Sequence, residues 1–132
     1  MQTFMPYASP YQSARVLDPS RLGNQAYREC RTLINGGWPN HPASKMWSGH
    51  EHHLALYALA CLEELRRRGR FYPGHILFFE RKLIEFPDTG LPSWVGDERL
   101  HSSHRAVLLW KDLDWYGRFG WSEEPAEHCF WA

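Results

Sequence analysis

A helix-forming run bracketed by Asp18-Pro19 and Gly36-Gly37 constrains this chain more than any other feature. Asp18 supplies an N-cap and Pro19 a first-turn proline, so the run starts there. It continues to Asn35, and the glycine pair stops it. At about 100° of rotation per residue, Leu22, Ala26, Cys30 and Leu33 share one face. The adjacent stripe holds Arg21, Gln25, Arg28, Glu29 and Thr32. Surface helices usually mix Glu and Lys, whereas this one carries Arg21, Asn24, Gln25, Arg28, Glu29 and Arg31. Glu29 falls at the edge of the apolar face, beside Leu22 and Leu33, partly desolvated and within reach of arginines. Acid and base groups are often placed in such positions. An amphipathic helix with a solvated polar face accounts for the same pattern, and both readings stay open. Gly23 inside the helix costs about 1 kcal/mol against Ala, which predicts a close approach to the backbone there.

The remaining punctuation predicts an all-α fold, a compact single-domain helical bundle over residues 1–132. Met1–Pro10 reads as an extended N-terminal arm, because Pro6 and Pro10 resist helix. A short helical turn is expected over Ser13–Leu17. Trp38–Pro42 reads as a rigid loop with two prolines. A third helix is predicted over Ala43–Arg68, with Trp47, Leu54, Ala58, Cys61 and Leu65 on one stripe and Gly69 as its stop. A fourth is expected over His75–Phe86. Pro87–Gly96 is a loop carrying Trp94, and Asp97 caps a fifth helix reaching about Lys111. An aromatic tail, Trp115–Ala132, closes the chain. No segment alternates as a strand does.

Composition narrows the function classes. Seven Trp, six Tyr and seven Phe in 132 residues exceed what a core this size absorbs, so some are expected to line a site or groove. Lys plus Arg and Asp plus Glu are 15 each, which argues against strong non-specific DNA binding. Cys30, Cys61 and Cys129 are odd in number and widely spaced, as in a reduced, cytoplasmic chain. No run is apolar enough for a membrane span, and the N-terminus lacks the shape of a signal peptide.

Several clusters bear on chemistry. His50, His52 and His53 resemble metal ligands at first sight, but helical phase puts His50 near Tyr57 and Cys61 and turns His52 to solvent. His101 and His104 lie three apart on the fifth helix, with His104 among Leu100, Val107 and Leu108. No carboxylate or cysteine completes a zinc pattern, so no metal and no cofactor is expected. Inward His50 and His104 then line a site or are satisfied in the core. Arg66-Arg67-Arg68-Gly69-Arg70 suits either phosphates or the helix dipole.

Tyr27-Arg28-Glu29, in an early helix close behind the N-terminus, resembles the corresponding segment of the bacteriophage pyrimidine-dimer DNA glycosylases of the endonuclease V type. Gly37-Trp38-Pro39-Asn40-His41-Pro42, Met46-Trp47, His101-Ser102-Ser103-His104-Arg105 and Tyr116-Gly117-Arg118-Phe119-Gly120-Trp121 extend the likeness, over nearly the whole chain, to small bacterial and phage proteins grouped with that family. The resemblance implies DNA repair by N-glycosylase chemistry, with the α-amine of the first residue attacking C1′ of a damaged nucleotide to give an imine. It implies Glu29 as the glutamate that assists base loss and strand cleavage, and Arg28 as a contact to the DNA backbone. An unperturbed α-amine has a pKa of about 8, leaving a useful neutral fraction. Gln2 is bulky and should keep Met1 in place, so Met1 would carry the nucleophile. The family's second arginine falls at Thr32 here, and the neutral charge is a further departure.

The expectation is therefore a glycosylase with possible abasic-site lyase chemistry, acting on damaged or modified pyrimidines in duplex DNA through Met1 and Glu29. Its site would lie where the arm meets the second, third and fifth helices. The binding set would comprise Arg21, Asn24, Gln25, Arg28, Asn40, His41, Lys45, Trp47, His50, His104 and Arg105. A non-catalytic module for a nucleotide or other small phosphate-bearing ligand would use the same polar stripe.

Overall fold

A computed structural model describes residues 2–131, so Met1 and Ala132 lie outside it. The fold is all-helical, with no strand among the described residues. In chain order the helices are α1 (Pro10–Val16), α2 (Pro19–Asn24), a π-helical turn (Gln25–Glu29), α3 (Cys30–Ile34), α4 (Pro42–Trp47), α5 (Glu51–Arg67), α6 (Pro73–Glu85), α7 (Glu98–Lys111) and α8 (Leu113–Tyr116), with a 3₁₀ turn over Gly117–Phe119. No helix among the described residues is long and apolar enough to cross a membrane.

α5 is the pillar of the core. It packs against α1, α2, the π turn, α3 and α6, and Leu54, Ala58, Cys61 and Leu65 of its predicted stripe are buried. Leu22, Ala26, Cys30 and Leu33 are buried too, so the apolar face read from the second helix is the one that packs. Asp18 caps α2, accepting from the Arg21 N–H at 3.3 Å and from the Tyr116 hydroxyl at 2.5 Å. Burial alone would raise this carboxyl, but the bonds from Tyr116 and Arg21 hold it below its ordinary value.

Four boundaries differ from expectation. Pro10 opens α1 instead of ending the arm, because Ser9 caps the helix and a proline is tolerated in the first turn. Pro73 likewise starts α6 ahead of His75. The expected Ala43–Arg68 helix is two helices, broken at Ser48-Gly49-His50, where Gly49 adopts φ +80°. The second helix runs to Ile34 but widens to a π turn over Gln25–Glu29, which shifts the phase of every residue beyond it.

At Gly23 a methyl group would meet the Tyr27 hydroxyl at 2.6 Å, so the approaching group is the helix's own next aromatic. Tyr27 in turn stacks on His75 of α6 with ring centroids 5.0 Å apart.

The arm is extended, and Thr3, Phe4 and Met5 are buried. The tail returns over the opposite end of the chain: Trp115 donates to the Val16 carbonyl at 2.7 Å and Trp121 to the Tyr7 hydroxyl at 2.8 Å.

Candidate active site

A buried extended segment with no neighbouring strand must satisfy its backbone with side chains. Here Gln25 does most of this. Its Oε1 accepts from the Phe4 N–H at 2.8 Å and the Tyr57 hydroxyl at 2.9 Å, while its Nε2 donates to the Gln2 carbonyl at 2.9 Å. The Tyr57 hydroxyl also lies 2.6 Å from the Phe4 carbonyl. The Met5 peptide is held from the other side by two histidines one turn apart on α7. The Met5 N–H donates to Nδ1 of His104 at 2.9 Å, and Nδ1 of His101 donates to the Met5 carbonyl at 2.8 Å. Nε2 of His101 accepts from the Gly96 N–H at 2.9 Å. Trp47 donates to the Thr3 hydroxyl at 2.8 Å, and Arg105 to the Pro6 carbonyl at 2.6 Å.

This arrangement fixes the chemistry of His104. Accepting at Nδ1 requires the neutral ring with its proton on Nε2, which has no acceptor among the described residues. Burial, helped by the neighbouring His101, pushes its pKa down to about 3.

One π turn along from Gln25 stands Glu29. It is half-buried and lines a cleft of about 260 Å³ with Arg28, Thr32, Trp38 and His41. Arg28 is exposed, and neither Arg28 nor Glu29 makes a side-chain hydrogen bond or ion pair among the described residues. Thr32 donates its hydroxyl to the Arg28 carbonyl at 2.8 Å, which pins the turn that presents both groups. His41 caps α4, its Nδ1 accepting from the Ala43 N–H at 3.0 Å, so its proton belongs on Nε2. Its ring meets Trp131 edge-on at 5.9 Å. The tail touches the arm nearby, for the Gln2 amide nitrogen donates to Sγ of Cys129 at 3.0 Å. A carboxylate and a guanidinium without partners among the described residues, and an imidazole, thus line one opening.

The structure divides the expected site residues. Arg28, Glu29 and His41 share the cleft. Gln25, Trp47, His104 and Arg105 are spent on the arm; Arg105 is further engaged by Glu123 at 2.9 Å and by Glu98. Arg21 is paired with Asp18 at 3.1 Å. Asn24 is half-buried and Asn40 exposed, with no hydrogen bond from either side chain among the described residues. Lys45 is exposed and lines a separate pocket with Pro39, Ser48 and Glu51. Met1 falls outside the described residues.

Two histidine expectations are corrected. His50 precedes α5 instead of lying on it, since Gly49 breaks the helix, and its ring donates to the Gly90 carbonyl at 3.0 Å. His52 is half-buried, not solvent-facing, and donates to the Phe86 carbonyl at 2.8 Å. With His53 bonded to Asp88 at 2.8 Å, the three rings clasp the loop after α6. No group of three or more metal-ligating side chains occurs among the described residues.

Sequence reasoning missed Trp38 at the cleft and Trp131 against His41, as well as the roles of Tyr57 and His101 on the arm. Only Trp38 carried a local signal, since it follows directly on the Gly36-Gly37 stop. A more apolar pocket of about 290 Å³, lined by Met5, Leu56, Leu91 and Val95 among others, brings no free acid and base together, so the chemistry points to the smaller cleft.

Comparison with curated proteins and with solved structures returned no match. The family model described as pyrimidine dimer DNA glycosylase matches residues 1–78, well over half of the chain and all of the arm, the π turn and the cleft. The chain belongs to the pyrimidine dimer DNA glycosylase family.

Proposed function

We propose that this protein excises damaged pyrimidines from duplex DNA through an imine formed at its own N-terminal amine, with Glu29 as the acid/base group. Family membership supports DNA as the substrate. The observation that carries the chemistry is the tether of the Gln2 carbonyl to Gln25, on the same π turn as Glu29. A nucleophile borne on a chain end must be held still, and this bond fixes the residue that follows it.

The neutral α-amine forms a bond to C1′, the glycosidic C1′–N bond breaks, and its electron pair leaves with the base, which takes up a proton. Glu29 accepts the proton released from the amine and delivers one to the ring oxygen as the sugar opens to the imine. Loss of a C2′ proton then expels the 3′ phosphate, and Glu29 again serves as the base. Arg28, exposed at the rim, takes a backbone phosphate.

Borohydride reduction in the presence of abasic-site DNA tests this directly. A covalent complex attached at residue 1 is expected, and an N-terminally acetylated chain should form none. Cleavage of dimer-containing duplex without a trappable complex would exclude the amine. Retention of a free nucleotide with no DNA binding even at low salt would point to a small-ligand module instead.

A further inference from the structure

We infer that Trp38 stacks on a nucleobase lifted out of the helix at the cleft, and so determines which DNA the site accepts. This rests on the reading of the cleft as a DNA site. Trp38 is the non-glycine residue with a positive φ among the described residues, at +54°. A bulky side chain is strained there, and such strain persists only where the surroundings impose it. They do so here. The Gly37 N–H donates to the Thr32 carbonyl at 2.9 Å, the Ser44 hydroxyl to the Gly37 carbonyl at 3.2 Å, and the His41 N–H to the Trp38 carbonyl at 3.0 Å.

The strain brings no packing in return. Trp38 is 64% exposed and takes part in no aromatic pair or hydrogen bond through its side chain among the described residues. Glycine would serve the backbone better, and almost any polar residue would serve the surface better. The fold alone gives no reason for an indole at this position.

The cleft supplies one. The indole borders the opening that holds the free guanidinium of Arg28 and the Nε2–H of His41. A flat π-surface beside a cation and a hydrogen-bond donor matches a planar base joined to a phosphate. An unstacked base gains as much from an indole as it loses by leaving its neighbours. The opening is too small and too polar for an apolar protein segment.

Trp38→Gly, Trp38→Asn and Trp38→Phe in the full chain test the assignment. Glycine and asparagine both tolerate the left-handed backbone, so each variant should melt at or above the wild-type temperature. Each should raise KM for a dimer-containing duplex, and Kd for single-stranded oligo(dT), by about 10- to 100-fold, while Trp38→Phe stays within about fivefold. Wild-type KM and Kd in Trp38→Gly would overturn the stacking role and leave the glycosylase reading intact. Trp38-dependent binding of oligo(dT) without incision would do the reverse. Lower melting temperatures in both Gly and Asn variants, with unchanged binding by the folded protein, would assign Trp38 to packing and overturn the inference. A wild-type chain that binds neither DNA would overturn both.

Discussion

The N-terminal arm and the loop before α4 are both irregular, yet they are built on opposite principles. Residues 2–6 are drawn through the core, with backbone groups and the Thr3 hydroxyl met by side chains from four helical elements. The loop around Trp38 is pinned mainly through backbone bonds and the Ser44 hydroxyl, exposes its largest side chain and carries strain. One region spends side chains on immobility. The other keeps them free for something outside the protein. The two meet at the π turn, where Gln25 faces the arm and Glu29 the cleft. Gln25 opens that turn and Glu29 closes it.

The sharpest way to break this contrast is at the π turn itself. Glu29→Gln should lower incision of dimer-containing duplex by about 10²- to 10⁴-fold with no change in melting temperature, because the Glu29 side chain bonds nothing among the described residues. A loss of stability of more than about 1 kcal/mol would move Glu29 to the structural side. Gln25→Ala should act the other way round. It strands the Phe4 N–H, the Gln2 carbonyl and part of the Tyr57 hydroxyl's bonding, costing about 2–4 kcal/mol in denaturant unfolding. Activity should then fall through disorder of the chain start, and lowering the temperature should restore part of it.

The arm also predicts a pH dependence that the cleft does not. His104 is neutral in the fold down to about pH 3, whereas an unfolded histidine protonates near 6.5. Between these values the unfolded chain binds a proton that the folded chain refuses. Stability is therefore complete above about pH 6.5 and falls as the pH drops toward 3. His75, lowered by burial and by Arg31, adds in the same direction. His104→Gln keeps an acceptor for the Met5 N–H but cannot titrate, so its melting temperature should fall less steeply with acid. An equally steep acid limb would place the effect elsewhere.

Arg28→Ala tests the open region. Losing a guanidinium with no side-chain partner among the described residues should cost the fold nothing, yet it should reduce the slope of log binding against log salt by about one. An unchanged slope would remove Arg28 from the DNA interface. The smallest effect is expected at Gly23→Ala. The helix gains from alanine, but the new methyl pushes on the Tyr27 hydroxyl, so stability should change by no more than about 1 kcal/mol. Adding Tyr27→Phe should recover part of any loss.

Net neutrality is also easier to understand from these two regions. Glu64 is consumed by Arg67 and Arg68, and Glu123 by Arg105 and Ser102. Arg28 at the cleft has no such partner among the described residues, so a chain without excess positive charge still presents a cation where the substrate is proposed to bind.

The sequence by itself determined the all-helical class, the apolar face Leu22–Ala26–Cys30–Leu33, the caps at Asp18 and Asp97, and Arg28 with Glu29 as neighbours on a polar stripe. Those features depend on neighbours within one or two turns, where periodicity and capping chemistry act. Only the tertiary structure decided that Gln25, Trp47, His104 and Arg105 are ties for the arm, because each is satisfied by an arm group far away in sequence. It likewise decided the π turn, which no local residue announces, and whose buried side is Gln25 and Ala26. Trp38 belongs to the same class. An exposed tryptophan in a glycine-led loop reads as solvent-facing decoration until the chain folds back and sets Glu29, Arg28 and His41 around it.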